Sequence, residues 1–374
     1  MNRIYLDNAA TTPLDPDVLE AMLPYMTTHF GNPSSIYSYG RETRLAVENA
    51  RKTVARLLRA QPGEIFFTSG GTESDNMAIA AAIEDLGCKH IITSAIEHHA
   101  VLHTVEHWQK KLNLEVSYVE VLPDGHIDLD HLSSLITGSA DRALVSLMHA
   151  NNEIGNLLDI ERVGKICREH DAIFHSDTVQ TLGHYPLDLS KKWIHFATGA
   201  SHKFHGPKGI GLLYVSDNVT VGPMIHGGGQ ERNMRAGTEN IYGIVGFTKA
   251  LEMADASMEK DKAHILSLKY YFAEKLRKQV PGIQFNGDWK GESLYTVLNV
   301  SFPRSEKTEM LLMALDLQGI CVSGGSACSS GADLGSHVIR ALRSAPGVPI
   351  RFSFSKFNTR EQLDQVLNVL SELV

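Results

Sequence analysis

The chain has no CxxC pair, no dinucleotide-type GxGxxG and no GxxxxGK[ST] phosphate loop. Neither a Rossmann fingerprint nor a Walker nucleotide site is therefore expected. Its four cysteines, Cys88, Cys167, Cys321 and Cys328, keep no disulfide-like spacing, which fits a reducing compartment. No apolar run approaches the ~20 residues that span a bilayer. The polar start Met1-Asn2-Arg3, soon followed by Asp7, lacks a signal-peptide pattern. A cytoplasmic location without a membrane partner is the expectation. Positive charge is not in excess: 35 Lys and Arg face 43 Asp and Glu, for a net charge of -8. That balance argues against nucleic acid as a main partner. Neither an internal repeat nor a low-complexity linker is visible. What is there is ordinary globular material, with 374 residues, 43% hydrophobic and 21% charged. Such a chain can hold about two domains and a large core.

Strand-like and helix-like runs alternate through the first two thirds. Helical spacing of Val47, Ala50, Val54, Leu57 and Leu58 predicts an amphipathic helix over residues 41–59. Residues 64–68 read as a buried strand, followed by SGGTESDN and a helix from 77 to 86. A strand, a glycine turn and a helix N-terminus form an anion site in which Gly71 and Thr72 would take part. A plain capped connection explains the same residues equally well. Strands are also expected at 91–94, 116–121, 143–148, 172–175 and 210–215, and helices at 99–112, 129–136 and 160–170. This alternation predicts an α/β fold with a mainly parallel, doubly wound sheet. In such sheets the ligand crevice lies at the carboxyl ends of the strands. SGGT, EHH with His98, NNE with Asn152, SDTVQ with Asp177 and Gln180, and SHK all follow strands. His99, His103 and His107 recur at i, i+4 and i+8, and a solvated helix face accounts for them better than a metal site; no metal is expected. Small residues 9–12 let the backbone approach something closely, or simply form a turn. After a glycine-rich stretch (226–240) comes a long helix, 241–278. A smaller α+β part follows, with strands at 283–286, 296–302, 320–323 and 349–355, a helix at 307–318, and a last helix opened by the capping box Thr359-x-x-Gln362.

Lys203, in ATGASHKFHGPKGIG, sits among small and apolar neighbours. That setting can make the amine nucleophilic and suggests a Schiff base with a carbonyl substrate or with pyridoxal phosphate. A surface loop lysine is the other reading of this stretch alone. Cys328 lies in SGGSACSSG, a small, polar segment that cannot bury a thiol well. The other three cysteines read as buried.

Taken in order, YLDNAATTP, SGGTESDN, EHHAVL, NNEIG, SDTVQ, SHKFHGPKG, GGGQERNMRAGTEN, SGGSACSSG and RFSFSKFNT resemble the PLP-dependent cysteine desulfurases of the class V aminotransferase group. The resemblance implies fold type I, with a large cofactor-binding domain over 13–252. Residues 1–12 and 253–374 would form a small domain carrying the catalytic cysteine loop. It implies that Lys203 holds pyridoxal 5'-phosphate covalently and later acts as a base. By the same resemblance Asp177 would pair with the ring nitrogen, Gln180 would bond the ring oxygen, and His98 would stack on the ring and move protons. Gly71, Thr72 and His202 would hold the phosphate, and Thr238 would reach the phosphate of a neighbouring subunit, which would require a homodimer. Ala200 stands where the family usually has a phosphate-binding serine. The hydroxyl is on Ser201, which stays among the cofactor-binding candidates. Tyr37 replaces a frequent histidine. The resemblance further implies that Asn152 and Arg351 would bind the carboxylate of L-cysteine. Cys328 would take the substrate sulfur as a persulfide, releasing L-alanine, and pass it to a sulfur-acceptor protein, a scaffold or sulfur carrier, for iron–sulfur cluster, thio-cofactor or tRNA synthesis. A selenocysteine lyase is the alternative. Other class V activities have no need of Cys328, and a non-catalytic module would not need Lys203, Asp177, His98 and Cys328 together.

Overall fold

The computed structural model describes residues 3–325, 336–342 and 347–374. In chain order the described strands are β1 (Ile4–Tyr5), β2 (Ile65–Thr68), β3 (His90–Ser94), β4 (Glu115–Val119), β5 (Ala143–Ser146), β6 (Ile173–Asp177), β7 (Phe196–Ala200), β8 (Gly211–Val215), β9 (Gln284–Asn286), β10 (Val297–Phe302), β11 (Ile320–Cys321) and β12 (Val348–Ser353). The helices are α1 (Pro16–Thr27), α2 (Ser38–Leu57), α3 (Gly71–Glu84), α4 (His99–Leu112), α5 (Leu129–Thr137), α6 (Ile160–Glu169), α7 (Ile241–Gln279), α8 (Glu306–Glu309), α9 (Leu311–Leu317), α10 (His337–Ala341) and α11 (Arg360–Leu373). The helix expected over 307–318 is broken at Met310, where Ser305 caps a separate first turn with Thr308.

Seven strands form the central sheet in the order β2-β8-β7-β6-β5-β3-β4. Pairing is parallel from β7 through β6, β5 and β3 to β4, and β8 runs antiparallel between β2 and β7. β6 and β7 are buried at every position, as central strands covered on both faces must be. A second sheet, β12-β10-β9, is antiparallel, and β1 pairs with β11.

Buried apolar residues gather in separate groups. Clusters over residues 18–251 cover the two faces of the large sheet. Another joins Ile4 and Leu6 to residues 265–370. Helix α7 serves both: Ile241–Leu251 pack in the first, Ile265–Leu276 in the second. At 39 residues it is about 58 Å long.

The glycine-rich stretch is fastened by a buried ion pair. Arg51 of α2 meets Glu231 with two parallel bonds of 2.8 and 2.9 Å and also donates to the Ile65 carbonyl at 2.5 Å. Glu231 in turn accepts the Phe67 N–H at 2.8 Å. Nearby, around the start of α2, large apolar side chains are exposed, including Phe30 (70%), Ile36 (86%) and Tyr37 (57%). Phe30 stacks on Tyr39 with ring centroids 5.3 Å apart.

Candidate active site

The carboxyl edge of the sheet opens into a cavity of about 240 Å³. Each wall comes from a strand-to-loop junction. β7 ends at Ala200, and the tight turn Ser201–Lys203 aims the lysine at the cavity. β6 ends on Asp177, with Val179 and Gln180 on the turn that follows. Helix α3 begins at Gly71 without a side-chain cap, so its first turn, with Thr72, faces the cavity as an anion site. Residue 71 must be glycine here, because a Cβ would lie 2.7 Å from the Val179 side chain. His98 is the N-cap of α4; its Nδ1 accepts the Ala100 N–H at 3.1 Å. That bond leaves the ring proton on Nε2.

Lys203 is tied down by backbone. Its Nζ donates to the carbonyls of Ala9 (2.7 Å) and Ala10 (2.9 Å). Gln180 Nε2 donates to the same Ala9 oxygen at 3.0 Å. Thr12 bonds the His202 carbonyl and the His205 N–H, so residues 9–12 are stitched along the lysine turn. The small residues of this segment are thus a close-approach device and not only a turn.

Burial dominates the electrostatics. It pushes the Asp177 carboxyl up to about 6, helped by Asp75 and opposed by His98. Asp75, deeper still, is pushed up to about 7 by burial while accepting the Thr198 hydroxyl at 2.8 Å. Burial lowers His98, with Asp177 opposing, and takes His202 down to about 4, so both imidazoles are neutral at pH 7. Glu97, behind His98, is raised to about 8 by burial. Its Oε1 accepts the Ser94 hydroxyl and the Met148 N–H, and its Oε2 is buried without a partner among the described residues. Of these three acids, Asp177 gives up its proton most readily and Glu97 least.

Gly71, Thr72, His98, Asn152, Asp177, Gln180, His202 and Lys203 are all on the cavity wall. Other candidates lie elsewhere. Ser201 is fully buried, and its Oγ is pressed against Gly206, leaving Ala200 on the wall. Thr238 is exposed in a separate recess beside Arg235 and Glu239. Arg351 is 1% exposed, just behind Asn152; its Nη1 donates to the Asn152 carbonyl at 2.9 Å. Cys328 falls outside the described residues. Cys321, read from sequence as buried, is part-exposed at the β11 edge. His99 is not on a solvated face either: it packs between His103 and His337, with centroids 4.8 and 4.7 Å away. Among the described residues, no group of three His, Cys, Asp or Glu side chains is placed to hold a metal ion.

Sequence reading missed Asp75, Glu97 and Glu153. Glu153 is wholly buried and accepts the Ser336 hydroxyl at 2.5 Å. Each stands beside a motif residue, and in the sequence each looks like a helix-start or loop carboxylate.

The family described as "Aminotransferase class-V" matches residues 4–366. The cysteine desulfurase IscS of Dictyoglomus turgidum is 44% identical over 99% of this chain and 94% of its own. This chain belongs to the class-V aminotransferases, among the cysteine desulfurases. Solved structures agree with that fold. A "NifS-like protein" superposes with a TM-score of 0.92 at 37% identity, covering 99% of both chains. "SspA in complex with cysteine" gives 0.81 at 31%, covering 96% of this chain and 100% of that one. The large sheet and the three-stranded sheet described above are therefore the fold type I arrangement of a cysteine desulfurase.

Proposed function

We propose that this desulfurase uses pyridoxal 5'-phosphate to move the sulfur of L-cysteine onto Cys328, releasing L-alanine. The observation that carries the reading is convergence: Lys203, Asp177, Gln180 and His98, from three separate junctions, line one recess whose rim is a glycine-opened helix start. The residues present fit the cofactor. A phosphate suits the first turn of α3, with Thr72 and His202 beside it. Asp177 has one oxygen on the Val179 N–H (2.9 Å), and its proton affinity is raised enough to bond strongly to a ring N–H. When bound, the cofactor supplies an electron sink for the substrate α-carbon.

The rest falls to the chain's own side chains. Lys203 would hold the cofactor covalently, and its Nζ, when free, would serve as a base. His98, neutral with a proton on Nε2, would lie beside the cofactor and carry a proton. Asn152 and Arg351 hold the substrate carboxylate. The Cys328 thiolate bonds to the substrate sulfur as the carbon–sulfur bond breaks. The carbon side keeps the electron pair and takes up a proton. The persulfide then passes to an acceptor protein, a scaffold or sulfur carrier, for iron–sulfur cluster, thio-cofactor or tRNA synthesis. The cysteine complex of the SspA relative supports the substrate. The exposed Phe30, Ile36 and Tyr37 surface supports a homodimer, with exposed Thr238 available to the partner's phosphate.

The purified protein should show a visible cofactor band and form alanine from L-cysteine. Cys328→Ala should keep the band and still bind L-cysteine but lose persulfide and sulfide. Lys203→Ala should lose covalent retention of the cofactor on denaturation, and its turnover should fall by at least ~10³-fold. Sulfide release by Cys328→Ala at the unmodified rate would sink the sulfur-transfer step. Covalent retention by Lys203→Ala would sink the lysine assignment.

A further inference from the structure

Arg351 is already engaged by this chain. Nη1 donates to the Asn152 carbonyl at 2.9 Å, and Nη2 to the Asp7 carboxylate at 2.7 Å. Among the described residues Nε is buried with no hydrogen-bond partner. The guanidinium is 1% exposed, whereas Asp7 is 19% exposed. Among those residues a buried positive charge is thus neutralised by one anion, through a single contact, at the solvent-facing end of the pair.

Asp7 is not loosely held. It bridges to Ser353, and its carbonyl accepts the Tyr5 hydroxyl at 3.0 Å. The Asn8 side chain donates to the Ser353 carbonyl at 2.8 Å. Two and three residues further on are the carbonyls that bind Lys203 Nζ.

A guanidinium offers two flat two-donor edges, Nε with Nη2 and Nη1 with Nη2. Both include Nη2, the nitrogen Asp7 holds. A substrate carboxylate docking by two points must displace Asp7 from Nη2 or share that nitrogen against the repulsion of a second anion. We propose that Asp7 is a resident competitor for the substrate carboxylate, which occupies Arg351 in the substrate-free protein and thereby sets KM more than the chemical step. This rests on the reading of Arg351 as the carboxylate anchor. A purely structural ion pair would behave in the opposite way: breaking it would loosen Arg351 and weaken substrate binding.

The test uses the holoenzyme. Asp7→Asn keeps the shape and removes the charge. KM for L-cysteine should fall roughly 3- to 10-fold, with kcat changing less. The Kd for L-alanine, followed in the cofactor band, should fall by a similar factor, and that for L-alanine amide, which lacks the carboxylate, should not. Asp7→Glu should move KM back towards the unmodified value. Asp7→Ser gives the same reading should the asparagine variant fold poorly. An unchanged or raised KM in a folded neutral variant overturns the proposal. Arg351→Ala separates the two levels. If it leaves KM where it was, the anchor assignment fails; if it raises KM while Asp7→Asn does not lower it, only the competitor role fails.

Discussion

Arg51 and Arg351 are both at most 2% exposed, and each faces a carboxylate. Arg51 is finished: two parallel bonds to Glu231, one to the Ile65 carbonyl and a longer one of 3.4 Å to Glu48 give each of its three nitrogens a partner. Arg351 is unfinished: among the described residues it has one bond to Asp7, one to a carbonyl, and Nε left over. Burial alone does not separate these two arginines. The count of satisfied donors does, because a buried orphan N–H is a cost that a further acceptor removes.

Mutation should split the pair by readout. Arg51→Ala leaves Glu231 buried and uncompensated, so about 3–5 kcal/mol of stability should go. That loss would appear as a lower urea midpoint at unchanged slope, with KM of the folded fraction unaltered. Arg351→Ala should raise KM for L-cysteine about 10- to 100-fold, as expected for losing charge-assisted bonds to a carboxylate. Equal destabilisation by both variants, with no change in KM for either, would erase the distinction.

Two lysines repeat the contrast on a smaller scale. Lys203 lies on the cavity wall, whereas Lys269 is 1% exposed and clamps Ser293 and Leu294 with bonds of 3.1 Å. Burial pulls Lys269 down to about 8. Between about pH 8 and 10.5 the unfolded chain holds a proton at this site that the folded chain has released. Stability from this residue should therefore rise with pH across that window, by roughly 1–3 kcal/mol. Lys269→Met should lack that part of the slope in urea titrations at pH 8, 9 and 10. A variant with the same slope as the unmodified protein would remove Lys269 as its source.

The strand–helix alternation was plain in the sequence because central strands buried on both faces read as short apolar runs, such as residues 172–174. The cavity wall was legible for a related reason. In such a sheet the loops after strands converge, so His98, Asp177 and Lys203 could be grouped before any coordinates were known. Main-chain acceptors carry no side-chain signature, and the Ala9 and Ala10 carbonyls that bind Lys203 were invisible. Side-chain direction in a tight turn was also illegible: Ser201 and His202 are neighbours, yet one faces Gly206 and the other the cavity. Asp75, Glu97 and Asp7 carry nothing in sequence to tell a buried acid from a capping one. The break at Met310 was hidden inside an apolar run with good helical spacing.

Helix α7 has a further consequence. Two lobes joined by a slack peptide could melt one after the other. Here a single 39-residue rod is rooted in both apolar clusters, so neither lobe can come apart without fraying what supports the other. Calorimetry of the intact chain should give one endotherm, and heat damage to the smaller half should register in the cavity at the edge of the seven-stranded sheet.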